Sequence, residues 1–128
     1  MKVVGRRRFE GGAGAPGQAR RWVTGILDHA DGPVGLDLDE VLVMVSELTT
    51  NAVRHGGGGF EVAMLLSRDG VRIEVADSSP AVPQAQWVPA GATSGRGLAI
   101  VDALSEAWGV TALEGGGKSV WFEARPAR

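Results

Sequence analysis

Apolar residues along this chain change their period repeatedly, and each change marks an element. Ala19, Trp22, Val23, Ile26, Leu27 and Ala30 recur at helical spacing behind Pro16, a residue suited to a first helical turn, so a helix is predicted over 16–30. Gly32, Pro33 and Gly35 end it. Asp37 opens a second helix with Glu40 as its capping-box partner; Val41, Leu42, Val45, Leu48 and Ala52 form the stripe, and the Gly56–Gly59 run stops it after about His55. The period then falls to two. Phe60, Val62, Met64 and Leu66 alternate, Arg68-Asp69-Gly70 is a hairpin turn, and Val71, Ile73 and Val75 alternate again up to Asp77.

Residues 78–94 carry Ser, Pro, Ala and Gly without periodicity and are predicted to form a long loop, a length that points to function because compact domains rarely keep such loops otherwise. Gly95–Gly97 leads into a third helix carrying Leu98, Val101, Leu104 and Trp108, and two strands near 109–113 and 119–125 flank Gly115–Gly117. Met1–Glu10, basic and partly apolar, reads as an edge strand. Strands joined by tight turns predict a mostly antiparallel sheet in an α+β two-layer sandwich, with about three amphipathic helices over one face. The absence of an internal repeat or linker makes residues 1–128 one expected domain.

Composition narrows the function classes. A hydrophobic content of 44% suits a globular core, and a net charge of −2 provides no global basic field for nucleic acid. With no cysteine there are no disulfides, thiolate metal sites or Cys nucleophiles, which fits a reducing, cytoplasmic setting. No apolar run approaches the length needed to cross a bilayer, and Arg6–Arg8 lack the apolar core of a signal peptide, so no membrane association is expected. The 20 glycines cluster at junctions between elements, where they suit turns and ligand-approach loops.

Glu47, Asn51 and either Arg54 or His55 project from one face of the second helix. A solvated polar face accounts for them, yet a carboxylate and an amide at this spacing also suit a Mg²⁺ that keeps phosphate oxygens as its other ligands, or the orientation of a hydroxyl for attack on a phosphoryl group. The string Glu47-Leu48-Thr49-Thr50-Asn51-Ala52-Val53-Arg54-His55-Gly56 resembles the N-box of the GHKL ATPases, which have the Bergerat, histidine-kinase-like ATPase fold. Its wording is most similar to the anti-sigma-factor serine/threonine kinases and their actinobacterial ATP-binding regulatory relatives. The resemblance implies that Asn51 holds Mg²⁺, that Glu47 is the general base, and that Arg54 and His55 approach the phosphates of ATP.

Asp77 ends a strand and by itself fits an Asx-turn. The resemblance implies that it accepts a hydrogen bond from the adenine amino group. Here Asp77-Ser78-Ser79-Pro80-Ala81 replaces the family's Asp-x-Gly-x-Gly. Ser94-Gly95-Arg96-Gly97-Leu98 lies at a loop-to-helix junction, where free N–H groups and the helix dipole attract anions, although a flexible helix entry explains the glycines equally well. Its position resembles the family's second glycine box, with residues 80–94 as a short ATP lid, and Gly117-Lys118-Ser119 resembles a looser third box with the Ser119 hydroxyl near the nucleotide.

Two other patterns fail on context. Gly12–Gly17 matches a dinucleotide fingerprint, but its preceding strand is polar and no second strand supplies a ribose-binding acid. Gly115–Ser119 evokes a P-loop, but Ala112 occupies the place of its first glycine and no helix follows. His29 and His55 are too few for a His-based zinc site. Trp22, Trp108 and Trp121 are core candidates, and Trp87 in the loop suits a lid or a partner. By resemblance, the expected activity is phosphorylation of a Ser or Thr on an anti-anti-sigma protein of STAS type, coupled to sequestration of a sigma factor; relatives of this kind are commonly dimers. The alternative is a nucleotide-binding regulatory module that sequesters a partner without catalysis.

Overall fold

Antiparallel pairing organises the whole sheet. The structure, a computed structural model, describes residues 1–55, 58–79 and 96–126. Its elements are β1 (Lys2–Phe9), α1 (Ala15–His29), α2 (Leu38–His55), β2 (Phe60–Leu66), β3 (Val71–Asp77), α3 (Arg96–Leu104), β4 (Ala107–Ala112) and β5 (Lys118–Ala124). The sheet order is β1-β2-β3-β5-β4, and every pair is antiparallel. The expected α+β layering with three helices on one face holds, and β1 lies at the edge of the sheet.

Local chemistry sets the element ends. Pro16 lies in the first turn of α1, where its missing N–H costs nothing. Asp37 caps α2, its Oδ1 accepting the Glu40 N–H at 3.1 Å. In the β2–β3 hairpin the Ser67 N–H donates to the Gly70 carbonyl at 3.0 Å, and Ser67 Oγ accepts the Asp69 N–H at 3.1 Å. The third helix stops at Leu104, earlier than its apolar spacing predicts, and Trp108 belongs to β4. Trp108 pairs with Phe122 on the helix-covered side of the sheet, so it faces the same interior a helical residue would, and its indole N–H donates to Asp102 Oδ1 on α3 at 2.8 Å.

The core lies between sheet and helices. Phe60, Val62, Met64 and Leu66 of β2 and Val71, Ile73 and Val75 of β3 meet Val41, Met44, Val45, Leu48 and Ala52 of α2, all buried. Trp22 and Trp108 are half-buried and pack against the rim of this cluster, whereas Trp121 points to the opposite, helix-free face, so none of the three is a fully buried core residue. On that face the Arg72 guanidinium lies 3.9 Å above the Trp121 ring and donates to Glu74 at 2.7 Å and to Glu123 at 3.0 Å. Burial works against the Arg72 charge, but the hydrogen bonds and charges of Glu74 and Glu123 outweigh it and hold the guanidinium above its ordinary range. No helix among the described residues is long and apolar enough to cross a membrane.

Candidate functional site

The most unusual chemistry sits at one end of the central strands. β3 and β5 pair with Asp77 opposite Lys118. Strand alternation keeps Ile73, Val75 and Asp77 on the helix-covered side, and likewise Lys118, Val120 and Phe122. Each of the two charged side chains exposes only 2% of its surface. Lys118 Nζ lies 3.3 Å from Asp77 Oδ2 and 3.4 Å from Oδ1, so the ammonium straddles the carboxylate. The Ser79 N–H donates to Oδ1 at 2.8 Å, closing the turn that follows β3. Charges removed from water persist only when paired, and each of these answers the other. A carboxylate offers about four acceptor positions. Ser79 and Lys118 leave room on Oδ2 for another donor.

Backbone geometry supports this corner. Gly115, Gly116 and Gly117 all have positive φ, at 81°, 104° and 89°, which an L side chain adopts only with strain. At Gly117 a Cβ would also collide with the Asp77 carbonyl oxygen and come within 3.2 Å of Ser78 Cα. The turn before β5 therefore passes directly against the end of β3.

The second set of residues lies on α2. Ser46 faces α1, its Oγ accepting an Arg20 N–H at 2.9 Å, while Val41, Val45, Leu48 and Ala52 face the sheet. With about 3.6 residues per turn, Glu47 and Asn51 then fall on the flank away from α1, toward α3. Both are half-buried, whereas Arg54 and His55 in the last turn are exposed. Thr49 is fully buried and satisfies its hydroxyl within the helix by donating to the Val45 carbonyl at 2.7 Å.

Chain path brings the stretches to one end. α2 ends at His55 and β2 begins at Phe60, which pairs with Asp77, so the C-terminal half of α2 lies at the Asp77 end of the sheet. α3 reverses into β4 through Ser105 and Glu106. The start of β4, Ala107, pairs with Glu123 at the far end of β5, so the first turn of α3 points back toward Lys118 and Asp77. Arg96 and Gly97 form that first turn.

Other expected site residues fare differently. The Leu98 side chain belongs to the core, at 6% exposure, leaving only its backbone for a ligand. Ser119 pairs with Ala76 and points to the helix-free face, away from Asp77, so the alternation of β5 presents Lys118 to the site in its place. The signal for Lys118 was available: Val120 and Phe122 set the inward register, and two residues back from Val120 is Lys118. Ser94 and Gly95, the expected lid over 80–94 and Trp87 lie outside the described residues.

The arrangement suits a ligand group that donates a hydrogen bond. A buried, ion-paired carboxylate selects a hydrogen-bond donor. Among the described residues no group of three or more His, Asp or Glu side chains could hold a metal. A cation here would depend on Asn51 and on oxygens carried by the ligand, which is how Mg²⁺ accompanies phosphates.

Comparison with known proteins identifies the family and the fold. A sequence profile for the histidine kinase-like ATPase domain matches residues 13–123. An uncharacterised protein of Streptomyces coelicolor is 38% identical over 71 residues, covering 52% of this chain and 68% of that protein. The crystal structure of the RsbU and RsbW domains of Rv1364c from Mycobacterium tuberculosis superposes with a TM-score of 0.68 at 23% identity, a likeness of fold. It covers 98% of this chain but only 33% of that longer one.

Proposed function

This chain belongs to the histidine kinase-like ATPase domain family, and from that premise we propose that it is an ATP-dependent serine/threonine protein kinase that also acts as an anti-sigma factor. The observation that carries the nucleotide reading is the buried Asp77 carboxylate, which retains an acceptor position at the sheet end reached by α2 and by the first turn of α3. Adenine presents an amine to such an acceptor, whereas guanine presents a carbonyl oxygen at the same ring position.

In this reading Asp77 orients the base, and the backbone of Arg96, Gly97 and Leu98 meets the phosphates at the N-terminal turn of α3. Ser94, Gly95 and Ser119 belong to the family's boxes by resemblance; Ser119 on the helix-free face contributes through its strand rather than by contact with the base. Asn51 would hold Mg²⁺, whose charge offsets that of the phosphate oxygens. Arg54 and His55, exposed at the end of α2, would steer the phosphates. Glu47, one turn before Asn51, accepts the proton of a Ser or Thr hydroxyl as that oxygen bonds to the γ-phosphorus and the bridging oxygen leaves with ADP.

The wording of Glu47–His55 supports the regulatory assignment, and the fold shared with a chain that contains an RsbW domain is consistent with it. The partners are then an anti-anti-sigma protein of STAS type and a sigma factor, in the cytoplasm, with a homodimer as the expected assembly. Incubation with Mg-ATP and the cognate antagonist should transfer phosphate to a Ser or Thr of that antagonist, and Glu47→Ala should abolish transfer. Stable complex formation without any transfer would remove the kinase claim. Regulation in cells that survives Glu47→Ala intact would establish instead a nucleotide-binding module that sequesters its partner without catalysis.

A further inference from the structure

We propose that Lys118 is a second base-reading residue, which donates a hydrogen bond to the ring nitrogen next to the amine that Asp77 receives. The inference rests on the nucleotide reading above and deepens it. A lysine ammonium has three donors. Straddling the Asp77 carboxylate at 3.3 and 3.4 Å engages at most two of them. Among the described residues Asp77 is the only acceptor in reach, and the side chain is almost wholly removed from solvent. Buried donors in folded proteins find partners. A ligand acceptor beside Asp77 supplies that partner.

Adenine has the matching edge. Its 6-amino group donates and the adjacent N1 accepts, so a carboxylate with an ammonium beside it meets both in order. Guanine in the same pose places its O6 against the carboxylate and its N1–H against the ammonium, two repulsive contacts where adenine has two attractive ones. Lys118 therefore adds to the selection that Asp77 provides alone. Gly117 keeps the two groups in register, because its backbone touches the end of β3 where a side chain would push the strands apart.

The test compares ATP with 1-deaza-ATP, in which C–H replaces N1, by calorimetry on the intact protein with Mg²⁺. The unmodified chain should bind 1-deaza-ATP about tenfold more weakly, the scale of losing one hydrogen bond to a charged group. Lys118→Met should bind both nucleotides equally while still discriminating against the triphosphate of purine riboside, which lacks the amine read by Asp77. A second measurement needs no variant. The only other lysine is Lys2, which is exposed, so the Lys118 side-chain nitrogen can be assigned directly in a chain labelled with ¹⁵N-lysine. Its resonance should shift with ATP and stay in place with 1-deaza-ATP. Equal binding of the two nucleotides by the unmodified chain, discrimination that survives in Lys118→Met, or equal shifts would overturn the role of Lys118 and leave the ATP site standing. Absence of ATP binding altogether would overturn both.

Discussion

β3 and β5 carry an ion cluster on each of their faces, and the two are built differently. On the helix-free face Arg72 joins Glu74 and Glu123 over Trp121, with about a quarter of each charged side chain exposed. On the helix-covered face Asp77 and Lys118 are a single pair, closed from solvent. The first cluster uses the planar fork of an arginine on two carboxylates, and water reaches what remains. The second holds a lysine with an unspent donor and a carboxylate with an unspent acceptor, where water does not reach. A charge cluster that completes its own bonding stabilises a sheet. One that remains incomplete in a buried place keeps bonding capacity for a ligand, which the proposed adenine site would use.

Removing a charge from the buried pair should have the largest effect. Lys118→Met leaves the Asp77 carboxylate buried without a counter-charge and should lower unfolding free energy by about 3–5 kcal/mol in urea denaturation. The double variant Asp77→Leu/Lys118→Met should recover most of that loss, since no lone charge remains, yet bind no ATP. A double variant as unstable as the single one would show that the pair is structural, like its counterpart across the sheet.

Next in size is the binding effect of Asp77→Asn, which keeps the shape but replaces a charged acceptor by an amide and, like Lys118→Met, leaves its partner's charge buried alone. It should weaken ATP binding by about 1–3 kcal/mol in calorimetry; unchanged affinity would contradict base reading by this residue. Arg72→Met should cost about 1–2 kcal/mol of stability, below the range for a fully buried pair, and leave ATP affinity untouched. Because Arg72 is held above its ordinary range in the folded state, its contribution is fully present below the unfolded-state value and is lost only as pH climbs through the folded one. The stability difference between Arg72→Met and the unmodified chain should accordingly stay flat from about pH 6 to pH 9. Smallest is Arg6→Ala, which removes the well-exposed 3.5 Å contact to Glu61 and should change stability by less than about 0.5 kcal/mol.

Local signals were legible where one residue type has one physical use. Asp37 with Glu40 announced the start of α2, and Arg68-Asp69-Gly70 announced the hairpin, because caps and turns are decided within a few residues. Trp108 was misread as helical because an inward-facing strand residue just after a helix satisfies the same apolar spacing. Met44 and Thr49 were absent from the predicted α2 stripe, although both are buried; Thr49 hides its polarity in a bond to Val45, which a hydropathy pattern does not register. At the site, Asp77 and the Glu47/Asn51 spacing could be singled out from the chain. Lys118 could not be recognised as a partner until the β3–β5 register was known, since 41 positions separate it from Asp77. Pairing across a sheet is a nonlocal fact, and the apolar alternation around Lys118 specified only that it turns inward.

The turn at Gly117 has a consequence for how this corner can change over time. The spacing of the two opposite charges depends on a hydrogen atom where any other residue would carry a Cβ, since that carbon would strike the Asp77 carbonyl. Gly117→Ala alters no charge and removes no bond, yet it would wedge the strand ends apart and disturb the Asp77–Lys118 pair. A residue with no side chain is thus one of the positions on which the buried pair depends.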